Sequence, residues 1–123
     1  MLFVVNTSFA LLNELPPYQH SVICGAYLTN GAVIAMMSKQ SAPPYAQEKY
    51  GKQIQFYSQG LLNLKKIAQK TKDYDEKKYD EEVMTNVNTI RKTLATPDGA
   101  GGFLMGLQEC VDYAGLSMSD FPK

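Results

Sequence analysis

Apolar residues recur at helical spacing along most of this 123-residue chain. The first such stretch covers residues 18–39, contains no proline, and has apolar residues at Val22, Ala26, Val33 and Met37. These four positions share one face of a helix, and the neighbouring face is apolar as well. A helix that is apolar nearly all round predicts a position at the centre of the domain.

A longer amphipathic helix is predicted over residues 45–71, after the helix-interrupting pair Pro43 and Pro44. Its apolar positions advance by alternating steps of three and four residues, the a/d spacing of a helix that packs along one seam. They are Tyr50, Ile54, Tyr57, Leu61, Leu64 and Ala68. We therefore expect Tyr50 and Tyr57 in the core, with lysines and glutamines on the exposed faces.

A third helix is predicted over residues 79–94 because its apolar residues again form a seam. They are Tyr79, Val83, Val87, Ile90 and Leu94. Acidic residues begin this helix and two basic residues end it, an order that suits the helix dipole. The charged segment 72–79 before it is expected to form a turn or a solvated continuation of the second helix.

The last helix is predicted over residues 103–114, after a break at 96–99 and the pair Gly101 and Gly102. Its inward positions are Phe103, Leu107, Cys110 and Ala114, with Leu104 and Val111 beside them. Gly115 is placed to end this helix in the left-handed conformation. The remaining tail is expected to form a loop.

These elements predict an all-α, up-down four-helix bundle, because short connections make consecutive helices antiparallel neighbours. A chain of this length makes one domain. We assign residues 18–123 to a single helical domain and residues 1–17 to an apolar arm or a signal-peptide remnant.

Nine of the first twelve residues are apolar, a stretch too short for a stable membrane span. The stretch fits the apolar region of an export signal, and residues 8–10 form a small-x-small cleavage pattern. The positive segment that begins such signals is missing, since the first basic residue is Lys39. The other interpretation is a native strand-like arm, β-branched and aromatic at residues 2–5, that packs on the body.

The two cysteines lie far apart in the chain, Cys24 on the first predicted helix and Cys110 on the last. Three roles are open to them: a disulfide between the two helices, two buried free thiols, or a reactive thiol in catalysis. A disulfide requires an oxidising compartment. The disulfide and the export signal therefore support each other and predict a periplasmic or secreted protein, the alternative being a cytoplasmic one.

His20 is the single histidine and stands four residues before Cys24 on one helical face. A structural zinc site needs four ligands, and no second pair with ligand spacing accompanies these two residues. We therefore expect no metal site, no catalytic residue and no cofactor, and we interpret His20 as a helix-start histidine near the surface.

Two other clusters have simple interpretations. The glycine-rich segment 98–102 precedes a helix but lacks the lysine and the preceding strand of a phosphate-binding loop. Acidic residues at 73–76 and 80–82 alternate with lysines, which is typical of a solvated mixed-charge face. Neither cluster predicts a ligand site.

Charge and aromatic content bear on the class of partner. Twelve basic residues balance twelve acidic ones, so no global charge favours nucleic acid. Tyr18, Tyr45 and Tyr74 fall at helix junctions, where exposed tyrosines make good anchors for a protein interface. Another protein is therefore the expected partner.

The layout resembles that of small exported bacterial helical proteins with one cysteine in the first helix and one in the last. Type VI secretion effector-immunity proteins include members of this kind. The resemblance lies in architecture and is carried by Cys24 within HSVICGAYLTNGAVIAMM and Cys110 within FLMGLQECVDYAG, over about residues 18–115. It contains no family-specific motif, so no functional residue is carried over.

We expect a non-enzymatic helical module that binds another protein, such as a bacterial effector or an enzyme that it inhibits. A first alternative is a bundle that binds a small apolar ligand in a cavity beside Met36, Met37 and Phe103. A second alternative is a homodimer in which the apolar arm of one chain packs on the other.

Overall fold

The structure, a computed structural model, describes Leu12 and residues 14–123. Within them the chain forms four α-helices and one 3₁₀ turn, and no strand. The elements are α1 (Pro17–Ser41), α2 (Pro44–Gln69), α3 (Glu76–Leu94), α4 (Gly99–Tyr113) and the 3₁₀ turn Met118–Asp120. The prediction of an all-α four-helix bundle is confirmed.

Helix α1 contacts each of the other three helices. Every residue from His20 to Leu28 is buried, which confirms the predicted central position for this part of the helix. By length and composition α1 could cross a membrane, but 61% of its most apolar window is buried inside the bundle. The bundle is thus built around one helix, with α2, α3 and α4 packed on it.

The far end of α1 departs from the prediction. Met37, assigned to the buried seam, is 62% exposed, and Ile34 is exposed as well. The stacking of Tyr27 on Phe103 sets the level of α4, which begins four residues before Phe103. The last turns of α1 therefore extend beyond the start of α4, and α4 does not shield them from solvent.

A buried asparagine fixes α3 beside α1. The amide of Asn30 donates hydrogen bonds to the carbonyl of Ala26, at 3.1 Å, and to that of Val87 in α3, at 3.2 Å. Nine residues before Asn30 in α1 and eight residues before Val87 in α3, the hydroxyl of Tyr79 donates to the carbonyl of Ser21 at 3.4 Å. Helices α1 and α3 therefore run parallel, as an up-down order requires.

Local signals set the helix boundaries. Proline at positions 43 and 44 separates α1 from α2 as predicted. Helix α3 begins at Glu76, three residues before the predicted start, because the carboxylate of Asp75 accepts a hydrogen bond from the N–H of Lys78 at 2.9 Å. Such an N-cap supplies an acceptor that the first turn of a helix otherwise lacks.

Helix α4 begins earlier than predicted and ends as predicted. It starts at Gly99, so Gly101 and Gly102 lie in its first turn rather than before it. At its end Gly115 has a φ of 79°, and the N–H groups of Gly115 and Leu116 bond to the carbonyls of residues 112 and 111. This is a Schellman motif, which uses the left-handed conformation open to glycine.

The C-terminal tail packs on the bundle instead of forming a free loop. The ring of Phe121 lies edge-on to Phe56, at 5.3 Å between centroids, and 5.5 Å from the ring of Tyr57. The amide of Gln53 donates to the carbonyl of Pro122 at 2.8 Å. The tail therefore lies against α2, close to α4.

The N-terminal segment is described in part. Leu12 is buried in the main core, and the N–H of Leu15 bonds to its carbonyl at 3.1 Å. The predicted export signal, its cleavage pattern at 8–10 and the alternative strand at 2–5 lie outside the described residues.

We expect Gly106→Ala to lower the free energy of unfolding by about 1–3 kcal/mol, because overpacking forces side chains to move. A Cβ atom there would lie 2.5 Å from the ring of Tyr27. Gly102→Ala is the matched control on the same helix, since its Cβ would meet nothing within 4 Å. It should stabilise the helix by up to about 1 kcal/mol. Urea denaturation tests both, and equal effects would contradict the close packing of α1 on α4.

Candidate functional site

The two cysteines meet in the core. The sulfur atoms of Cys24 and Cys110 lie at bonding distance, the Cα atoms are 5.0 Å apart, and both side chains are fully buried. This confirms the first of the three explanations and leaves no free thiol among the described residues. The bond joins α1 to α4 across 86 residues of chain.

His20 lies inside the molecule, which corrects the expectation of a surface position. It is 5% exposed, because the ring of Tyr113 in the last turn of α4 stacks on it at 3.6 Å between centroids. Burial lowers the pKa of His20 and favours the neutral imidazole. Its neighbour Cys24 is bonded, and within residues 14–123 no group of three possible ligands could hold a metal.

Of the three tyrosines expected at the surface, one is exposed. Tyr45 is 88% exposed, and Tyr74 is half-buried against Tyr79. Tyr18 is 8% exposed and its expected exposure is wrong, because its hydroxyl donates to Glu82 at 2.6 Å and its ring packs on Tyr79. Burial and the Glu82 hydrogen bond raise the pKa of Tyr18. Tyr18 therefore links α1 to α3, and its side chain is not accessible to a partner protein.

The acidic cluster forms a bridge between helices. Lys65 of α2 pairs with Glu76 at 3.1 Å and with Asp80 at 3.6 Å, both on α3. The hydrogen bond to Glu76 raises the pKa of Lys65. Exposed ion pairs of this kind add little stability, so we interpret the cluster as the mixed-charge face that the sequence predicts.

Exposed apolar side chains concentrate at one end of the bundle, where α1 and α3 end and α2 and α4 begin. The described part of the chain exposes eight large apolar side chains, and six of them lie on the last two turns of α1 or the first two turns of α2 and α4. We call these six residues the apolar end: Ile34, Met36, Met37, Tyr45, Leu104 and Met105. The other two, Leu62 and Met84, lie elsewhere on α2 and α3.

Apolar periodicity does not predict this surface, because it places Met37 and Leu104 on faces near the core. A signal was present in the charges. Residues 33–56, 86–105 and 118–123, which form this half of the bundle, contain six basic residues and three acidic ones. Residues 57–85 contain six of each. The half with the exposed apolar residues is therefore the basic half.

A groove opens at the apolar end between α1, α2, α4 and the tail. Gly31 and Ala35 of α1 lie at its base, and it encloses about 230 Å³. Its further lining includes Ile34, Tyr57, Phe103, Leu104, Leu107 and Phe121. We call it the tail groove, because Phe121 and Met118 of the tail form one of its sides.

A second groove lies between α2 and α3, over Gly25 and Thr29 of α1, and encloses about 310 Å³. The single cavity expected beside Met36, Met37 and Phe103 is not formed. Phe103 lines the tail groove, Met36 lines a separate hollow on α1 and α2, and Met37 is open to solvent. The three residues therefore share no common cavity.

We expect the double variant Cys24→Ala/Cys110→Ala to lose roughly 4–5 kcal/mol of unfolding free energy, since the bond closes a long loop of the unfolded chain. Urea denaturation of both proteins measures the loss. Nonreducing intact mass should be lower than reduced mass by two hydrogen atoms. Equal masses, or equal stability of the two proteins, would contradict a structural disulfide.

Stability should fall on acidification because of His20. The lowered pKa of His20 means that the unfolded chain binds the proton more readily, so stability is lost as the pH drops below 6.5, the ordinary value, toward the folded pKa. The slope from one such group is at most about 1.4 kcal/mol per pH unit. His20→Phe keeps a ring on Tyr113 and should flatten this part of the profile. An unchanged profile in the variant would refute the assignment.

Comparisons of the chain with protein-family models, curated protein sequences and solved structures found no match. The functional argument therefore rests on the residues of this chain.

Proposed function

We propose that the protein is a non-enzymatic helical module that binds another protein through the apolar end. The observation that carries the proposal is the concentration of six exposed apolar side chains on one end of the bundle. Clustered exposed apolar surface marks interaction sites, whereas single exposed apolar residues are ordinary. Two of the exposed residues of α1 and one of α4 are methionines, which adapt to the shape of a partner.

The scaffold suits this role because it holds the surface in place. Helix α1 is enclosed by three helices, and Cys24 and Cys110 join it to α4. Ile34 and Leu104, on these two helices, therefore keep a fixed relation. A preorganised surface loses less conformational entropy on binding. Tyr45, exposed at the start of α2, remains the aromatic anchor among the predicted interface tyrosines.

The disulfide also supports a location. Persistent disulfides are typical of exported proteins, so we propose a periplasmic or secreted module rather than a cytoplasmic one. The architectural resemblance extends this to an inhibitor or immunity protein of a bacterial effector. In that role the apolar end would cover the surface of the effector.

Two observations favour a different protein over the alternative occupants. In a symmetric homodimer the same surface meets itself, so the apolar ends would bring two basic halves together. The tail groove, at about 230 Å³, is smaller than the roughly 300–1,000 Å³ of pockets for drug-sized ligands. Neither a second copy nor a small ligand accounts for the whole apolar end.

The test is affinity capture from the periplasmic fraction of the source cells, followed by reconstitution of the complex with the purified partner. We expect the wild type to recover one main protein and to form a stoichiometric complex with it. The double variant Ile34→Gln/Leu104→Gln should weaken this complex at least about tenfold, since it removes two apolar contacts.

The matched control is Leu62→Gln/Met84→Gln, which removes two apolar side chains of similar exposure away from the apolar end. It should bind as the wild type does, and both variants should keep the unfolding midpoint of the wild type. Recovery of no specific protein, or loss of binding in the control alone, would contradict the proposal.

A further inference from the structure

We propose that the rings of His20 and Tyr113 form an acid-operated gate over the buried disulfide, so that a reductant reaches Cys24 and Cys110 in acid and is excluded at neutral pH. We call this pair of rings the gate. It lies where α1 begins and α4 ends, at the opposite end of the bundle from the apolar end. The inference is therefore independent of the proposed protein-binding function.

The gate and the disulfide occupy neighbouring turns of the contact between α1 and α4. His20 stands four residues before Cys24, and Tyr113 stands three residues after Cys110. Residues at these spacings share one face of a helix. The rings of His20 and Tyr113 stack at 3.6 Å between centroids, and both cysteine side chains are fully buried. The stacked rings therefore close this end of the contact in front of the disulfide.

Tyr113 is the movable side chain of the gate. It is half-buried in the last turn of α4, so one side of its ring faces solvent. The backbone just beyond it is held, because the amide of Asn63 in α2 donates to the carbonyl of Ala114 at 2.9 Å. The gate therefore opens when one side chain swings away from His20, while α4 remains in place.

His20 makes the gate sensitive to acid. Its Nε2 atom is buried and has no hydrogen-bond partner within the described residues. In the protonated ring both nitrogens are donors, so Nε2 then needs an acceptor, which water supplies once Tyr113 has moved aside. The face of the Tyr113 ring attracts a cation, but this attraction is weaker than the hydration that a buried charge loses.

The ionisable groups around the gate leave burial as the cause of the response. Residues 1–13 contain no ionisable side chain. Glu14 before α1 and Asp112 on α4 are exposed, the hydroxyl of Tyr18 donates to Glu82, and the carboxylate of Glu109 on α4 acts on Tyr27. Burial lowers the pKa of His20 in the closed gate, and in water the ring has its ordinary value of 6.5. The open fraction therefore rises as the pH falls below 6.5 toward the closed-state pKa.

Reduction by a water-soluble trialkylphosphine tests the gate at both acid and neutral pH. The phosphorus atom attacks one sulfur and breaks the S–S bond, and water then supplies the oxygen of the phosphine oxide and the protons of the two thiols. Each rate is divided by the rate for the protein unfolded in guanidinium chloride at the same pH, which cancels the pH dependence of the phosphine. The relative rate should rise about tenfold from pH 7.5 to pH 5.

Three variants separate the gate from general destabilisation. His20→Phe keeps a ring on Tyr113 and should abolish the rise in acid. Tyr113→Leu removes the cover and should raise the relative rate at pH 7.5 about tenfold or more. The matched control is Phe103→Leu, which removes the ring stacked on Tyr27 on the other side of the disulfide. Its rate should rise only as far as its measured loss of unfolding free energy requires.

The urea dependence of the rate identifies the route. Reduction through the gate should depend weakly on urea, because a side-chain swing exposes little surface, whereas reduction through global unfolding follows the full equilibrium slope. Equal relative rates at pH 5 and pH 7.5 would overturn the gate. A rise that persists in His20→Phe, an unchanged rate in Tyr113→Leu, or the full urea slope at pH 5 would overturn it as well.

Discussion

The burial of α1 is the constraint on which the rest of the structure depends. One helix supplies the contact surface for the other three, and from His20 to Leu28 none of its residues is open to water. Burial of apolar area on this scale is the main driving force of folding. The disulfide between Cys24 and Cys110 acts on the same helix, because it limits the unfolded chain and keeps α4 against α1. The relative positions of all the surface features follow from this arrangement.

The central helix also explains why one end of the molecule is exposed. Helix α1 is long, and its last turns extend beyond the start of α4. Apolar residues that the neighbouring helices cover near the middle of α1 are left open at its end, as Ile34 and Met37 show. The tail covers part of this gap and leaves the groove beside Phe121. An interaction surface thus arises from unequal helix lengths, with no need for an added loop or domain.

Much of the fold was predictable because its signals are local. Periodic apolar residues located the helices, the prolines at 43 and 44 separated α1 from α2, and Gly115 marked the end of α4. Asp75 was a readable N-cap signal for the early start of α3. The burial of His20 and the exposure of Leu104 were not predictable in this way. Each depends on which distant residue covers the position, Tyr113 in the one case and no residue in the other, and periodicity does not contain that information.

Amide hydrogen exchange along α1 tests the central claim most directly, since protection reports the free energy needed to expose each N–H group. The account predicts that amides from Ser21 to Leu28 exchange only through global unfolding and are among the slowest in the protein. Those near Met37 should exchange faster, through local fraying of the uncovered end. Rapid exchange throughout residues 21–28, with slower exchange in α2 or α3, would show that α1 is not the core of the bundle.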